Sequence, residues 1–310
     1  MRKRIRQQWK TYMGGSRMAA AGCIVLAVWI LLAVMVPLVS PWSYSVQDAQ
    51  IRNQGASLLH WFGTDRFGRD LFTRVWYGAG ISLRVGILSA LLNGCIGVLY
   101  GAVSGYAGRH ADQVLMRIAD ILSAIPSMLY VILITLVLGA GVGSMILGLC
   151  IAGWIGMARM VRGEVLRLKE MEYAYAARME GICPLRILLR HLLPNAAGPI
   201  IVNLIFLVPQ AIFTEAFLSF LGVGIAAPEA SLGTIIQEAR SQMMLYPYQM
   251  LFPLLVLCVM LLALNMAGTA AERQAGGTAP AAERQAGETA PAAERQAGGQ
   301  APAAGGREEG

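Results

Sequence analysis

Residues 19–39 read AAAGCIVLAVWILLAVMVPLV, an unbroken run without one acidic or basic side chain. A helix needs roughly 20 mostly apolar residues to cross the hydrocarbon core of a bilayer. The run is long for a leader peptide, and Pro37-Leu38-Val39-Ser40-Pro41 is no small-residue cleavage site, so the segment is expected to remain in the chain. Working outward, five further stretches have the same character: 81–105, 118–138, 144–160, 198–221 and 248–266. Six transmembrane helices are the expectation.

The composition agrees. Of 310 residues, 56% are hydrophobic and only 14% are charged, against roughly 25% charged in an ordinary soluble domain. So little polar surface could not cover a soluble globule of this size, which excludes an ordinary cytosolic enzyme. The formal net charge of +7 does not point to nucleic acid, because the basic residues cluster between apolar runs as they do in cytoplasmic loops. The N-terminal segment carries Arg2, Lys3, Arg4, Arg6, Lys10 and Arg17. The loop between spans four and five carries Arg159, Arg162, Arg167, Lys169, Arg178, Arg186 and Arg190. Segment 222–247, on the other face, has only Arg240. Both termini are therefore expected in the cytoplasm.

Smaller features support packing rather than chemistry. Gly97, Gly101 and Gly105 recur every fourth residue, the pattern that lets membrane helices approach closely. Cys23, Cys95, Cys150, Cys183 and Cys258 have no CxxC spacing and read as small hydrophobes, with no metal or disulfide implied. His60, His110 and His191 are scattered. The three lysines, Lys3, Lys10 and Lys169, follow Arg, Trp and Leu, so no P-loop can be assembled, and no GxSxG or HExxH occurs. No cofactor is expected. From Ala271 the chain repeats AERQAGGTAPA, AERQAGETAPA, AERQAGGQAPA. These units have no large apolar residue and a proline each, so a disordered tail over 269–310 is expected.

The most informative loop is 161–195. Good helix formers run to Glu180, Gly181 interrupts them, and a second helical stretch ends before Pro194. A helix, a sharp turn and a helix are expected, with Ala176 and Ala177 on the surface where another protein can approach closely.

Ala176-Ala177, three residues, Gly181, nine residues, then His191-x-Leu193-Pro194 resembles the EAA loop of permeases from ATP-binding-cassette (ABC) importers. Three other stretches resemble one branch, the C-type permease of oligopeptide, dipeptide and nickel importers: HWFGTDRFGRD (60–70), MRIADILSAIP (116–126) and EAFLSFLGVG (215–224). The resemblance covers roughly residues 10–268. It implies the type I importer fold, all-α and in the inner membrane. It also implies half of a translocation path, paired with a homologous B-type permease, two ATPase subunits and an extracytoplasmic substrate-binding protein. ATP hydrolysis would then occur in the partner subunits, and this chain would be no enzyme. By the same resemblance Glu172, Tyr175, Ala176, Ala177, Gly181, His191 and Pro194 would couple the loop to an ATPase. Tyr175 stands where the motif has its glutamate, Glu180 takes a usually apolar place, and Thr269 with the repeats replaces the family's usual C-terminus.

Two ionisable residues fall inside spans, Arg84 and Glu215. Intramembrane charges are functional candidates by default, and their similar depth predicts an Arg84–Glu215 pair. Segment 60–70 is expected to be a structured external loop, with a metal site there disfavoured. The chain divides into 1–75 (N-terminal segment, first span, external loop), a permease core 76–268 and the tail. Peptides are the expected substrate, with membrane lipid around the spans. The alternatives are a nickel-chelate or other small-solute permease, an ion-coupled secondary transporter, which lacks its paired midplane acids, and a membrane enzyme, which lacks a catalytic constellation.

Overall fold

The computed structural model of the protein describes residues 17–277. Helix α1 (Arg17–Val39) leads to an irregular segment with one 3-10 turn at Ala49–Ile51. Then follow α2 (Leu71–Tyr106), α3 (Arg109–Ser123), α4 (Ser127–Leu138), α5 (Val142–Ala152), α6 (Ile155–Lys169) and α7 (Glu172–Met179). A series of short turns passes into α8 (Ala197–Phe220), and α9 (Leu232–Arg240) and α10 (Tyr248–Gly277) complete the described chain. One isolated bridge, Thr64 to Asp70, is the only strand-like pairing among the described residues.

Five helical stretches are long and apolar enough to cross a membrane: Ala20–Val39, Leu71–Tyr106, Val142–Lys169, Ala197–Phe220 and Tyr248–Arg273. The third expected span, 118–138, is not straight. Its chain bends by 71° between α3 and α4. Pro126 sterically disfavours a helical conformation at Ile125, and Pro126 itself is extended, at φ −52° and ψ 128°. The 12 residues of α4 reach about 18 Å, short of the roughly 30 Å of a hydrocarbon core. The fourth span, expected as one run, crosses as Val142–Lys169 with a two-residue turn at Gly153–Trp154 between α5 and α6.

The helices meet along a seam of small residues. A Cβ placed on Gly97 would lie 2.6 Å from Met157 Cβ, one on Gly101 would lie 2.3 Å from the Ala158 carbonyl oxygen, and one on Gly105 would lie 2.9 Å from that of Arg162. The glycine repeat therefore seats α2 directly on α6. A second core joins α1, α2, α8, α9 and α10 around Val75, Trp76, Ile212, Leu232 and Met260.

The segment preceding α2 is an ordered cap. Asp70 caps α2, accepting from Thr73 N at 2.8 Å, and lies 2.9 Å from His60 Nδ1. Asp65 accepts from Arg69 Nε at 2.6 Å, and Arg69 and Arg74 both donate to Glu238 of α9, at 2.5 and 2.9 Å. The expected structured loop is thus present, though its acids and arginines are largely buried rather than solvated. Gly68, at φ +75°, passes so close to Asp48 that a Cβ would meet the Asp48 carbonyl oxygen.

At the other end α10 corrects the expected tail boundary. It runs to Gly277, well beyond residue 269. Ala, Glu, Arg and Gln at 270–275 are good helix formers, and extending an existing helix carries no nucleation cost. Residues 278–310, most of the expected disordered tail, lie outside the described residues, as does the basic cluster at 2–10.

Candidate functional site

The expected helix to Glu180 is broken once. Helix α6 stops at Lys169, Met171 is extended (ψ 149°), and α7 starts afresh at Glu172. Arg178 Nη2 donates to the Lys169 carbonyl at 2.5 Å, closing the orphaned end of α6 from the far side of the break. Glu172 in the first turn and Arg178 in the last both complement the helix dipole.

Gly181 ends α7 as expected, and the geometry says why a glycine is needed. At φ +74° it occupies the left-handed region. Ile182 N donates to the Ala177 carbonyl at 3.2 Å and Gly181 N to that of Arg178 at 3.0 Å, the paired bonds of a Schellman stop. Ile182 then packs into the same cluster as Ala177.

The two faces of α7 have separate roles. Ala174 and Ala177 are buried against Ile187, Leu188 and Leu192. The surface position expected for Ala177 is thus corrected: three residues from Ala174, it shares the inner face. Glu172, Tyr175, Ala176 and Met179 fall at i, i+3, i+4 and i+7 and form the outer face. Tyr175 is 63% and Met179 72% exposed. Met179 was not anticipated, although its helical spacing from Tyr175 and Ala176 was visible in the sequence. His191 is half-buried in a π-turn spanning Leu188–Leu192, and Pro194 is exposed just beyond it. Pro194 has no N–H and would crowd the carbonyl four residues back, so a wider turn precedes it.

The expected Arg84–Glu215 pair is not formed. Glu215 is fully buried and accepts from Ser82 Oγ and from Ser219 Oγ, each at 2.8 Å. Ser82 in turn accepts from Leu232 N at 3.4 Å, at the start of α9. Ser82 and Arg84 are two residues apart, which turns them about 200° from each other on a helix. Ser82 therefore faces Glu215 while Arg84 is exposed, lining a groove with Tyr44, Tyr77 and Pro37. No cluster of three or more metal-ligating side chains occurs among the described residues.

Comparison with known proteins follows the same lines. Residues 97–274 match the family described as "Binding-protein-dependent transport system inner membrane component". The oligopeptide transport system permease protein OppC of Bacillus subtilis is 43% identical over 263 residues, covering 84% of this chain and 86% of that protein. The dipeptide transport system permease protein DppC of the same organism is 43% identical over 258 residues, covering 83% and 81%. The glutathione transport system permease protein GsiD of Pectobacterium atrosepticum is 36% identical, covering 85% and 87%. Among solved structures, an inward-facing MetNI methionine ABC transporter chain superposes with a TM-score of 0.54 at 20% identity, covering 64% of this chain and 94% of that one. That likeness concerns the fold.

Proposed function

This chain belongs to the binding-protein-dependent transport inner membrane components, and we propose that it forms half of the path by which an ABC importer carries peptides inward. It is a multi-pass permease of the inner membrane. Its peptide substrate is inferred from the oligopeptide, dipeptide and glutathione systems of its relatives. A homologous permease would complete the path, two ATPase subunits would hydrolyse ATP, and a substrate-binding protein would deliver peptide from outside. Both termini and the loop between α6 and α8 would then face the cytoplasm, a reading that the distribution of basic residues supports.

The observation that carries the reading is α7. Its inner alanines fix it to the membrane body, its outer face offers Tyr175, Ala176 and Met179, and a glycine stop ends it. Small and flexible apolar side chains at an exposed turn suit close packing against a partner. The docking role therefore falls to Glu172, Tyr175, Ala176 and Met179, while Ala177 and Gly181 shape the helix. His191 and Pro194 set the turn behind it. The test is purification of the tagged full chain with its partner subunits in proteoliposomes. Peptide uptake driven by internal ATP, abolished by Tyr175→Asp with Met179→Asp in an intact assembly, is the expected result. Uptake unaffected by those charges would overturn it.

A further inference from the structure

Helix α3 is the element least embedded in the body of the protein. Its one fully buried residue is Ala119, which packs with Trp154, Ile155 and Ala158. Elsewhere a polar cleft of about 550 Å³, lined by Asp112, Gln113, Met116, Arg117, Asp120 and Arg162, lies between α3 and α6. Two ion pairs bridge it. Arg162 donates from Nε and Nη2 to both oxygens of Asp112, each at 2.5 Å, and Ser104 Oγ of α2 donates to the same carboxylate at 2.6 Å. Two turns along α3, Arg159 Nη2 lies 2.9 Å from Asp120 Oδ1 and 2.9 Å from Ser123 Oγ.

Both arginines stand on α6, which ends two residues before α7 begins and is tied to it by the Arg178–Lys169 bond. Both carboxylates stand on α3, which leads through the Pro126 bend into α4. A displacement of α7 thus reaches α6 through the backbone. It reaches the bent span through the contact of Ala119 with Ile155 and Ala158 and through guanidinium–carboxylate contacts. A bidentate pair holds orientation as well as distance, so a rotation of α6 that carries Arg162 also turns the Asp112 carboxylate and the helix that bears it.

We propose that Arg162 with Asp112, and Arg159 with Asp120, are positioning residues that transmit movement of α7 to the α3–α4 bend, and so link events at the ATPase to opening of the path. This rests on the permease reading above. The resulting coupling belongs to the ordinary range for linked sites, about 5- to 150-fold.

The test uses the complete importer in proteoliposomes and measures ATP hydrolysis with and without peptide-loaded binding protein. In Arg162→Gln and Asp112→Asn, basal hydrolysis stays near that of the unaltered importer. Stimulation by loaded binding protein falls by about fivefold or more. The exchanged pair Asp112→Arg with Arg162→Asp recovers most of the stimulation. Unchanged stimulation in the single variants, parallel loss of basal and stimulated rates, loss of assembly in both, or no recovery in the exchanged pair would each overturn the proposal. Absence of stimulation in the unaltered importer would instead overturn the permease reading itself.

Discussion

Glu215 and Arg84 show how far a single position on a helix decides the fate of a charge. Glu215 is fully buried, and its two oxygens accept from the hydroxyls of Ser82 and Ser219. Ser82 also holds the first amide of α9. Truncation to Ala would leave these hydroxyls facing one another across a void. Losing a buried, hydrogen-bonded carboxylate of this kind costs about 1–3 kcal/mol. Glu215→Ala is therefore expected to lower the melting temperature of the detergent-solubilised protein, whereas Arg84→Gln leaves it unchanged. Equal destabilisation by both would restore the ion pair that the structure replaces. Intramembrane charge was legible in the sequence as a pair of residues at similar depth. Which way each pointed was not, because two positions 200° apart cannot both face the same neighbour.

At the scale of elements, glycines decide what can touch what. On the α2–α6 seam a side chain at 101 would have to displace the Ala158 backbone, since even its Cβ would lie 2.3 Å from that carbonyl. Gly101→Leu should force the helices apart, and overpacking of this kind costs about 1–3 kcal/mol or more. Thermal unfolding and loss of membrane-inserted protein would register it. Gly181 acts differently: nothing lies within 4 Å of its ideal Cβ, so its constraint is the φ of +74° alone. Gly181→Val should cost about 1–2 kcal/mol of backbone strain, fraying the end of α7 while leaving the membrane helices folded. The expected signature is increased proteolysis between 179 and 185 without a change in melting of the whole. Full resistance there would show that the stop does not depend on the glycine. The seam was readable from spacing because a period of four keeps one face of a helix bare. The inward turn of Ala177 was not, since Ala176 and Ala177 are equally small and only the cluster of Ile187, Leu188 and Leu192 tells them apart.

For the molecule as a whole, the cap that precedes α2 and the membrane body are joined by charge. Glu238 on α9 receives both Arg69 of the cap and Arg74 of α2, with both arginines at most 7% exposed in their side chains. Removing Glu238 leaves two buried arginines to share Asp65 alone, and breaking a buried pair costs up to about 3–5 kcal/mol. Glu238→Ala should loosen the cap, seen as faster cleavage within 48–70 by protease added to the detergent-solubilised protein, with a lowered melting temperature. A cap that stays protected would mean that the aromatic contacts around Phe62, Phe72 and Phe252, with the hydrogen bonds from Tyr248 and Gln249 to Gln54, Asn53 and Thr64, hold it without Glu238.

Five of the six apolar spans with their rough limits, their close-packed glycine seam and the glycine-stopped loop all followed from the residues in order. Each rests on local physics: hydrocarbon thickness, helical period and the freedom of a residue without a Cβ. The broken third span was within reach too, because Pro126 marks it, although a run of apolar residues outweighs one proline in any count of hydropathy. Contacts between residues far apart in the chain decided the rest. Ser82 beside Glu215, the arginines on Glu238 and the carboxylates that meet Arg159 and Arg162 lie 39 to 169 positions from those partners. No periodicity links such residues. They meet because burying the apolar helices against one another brings their polar groups to common depths, where each must find a partner or remain unpaired away from water.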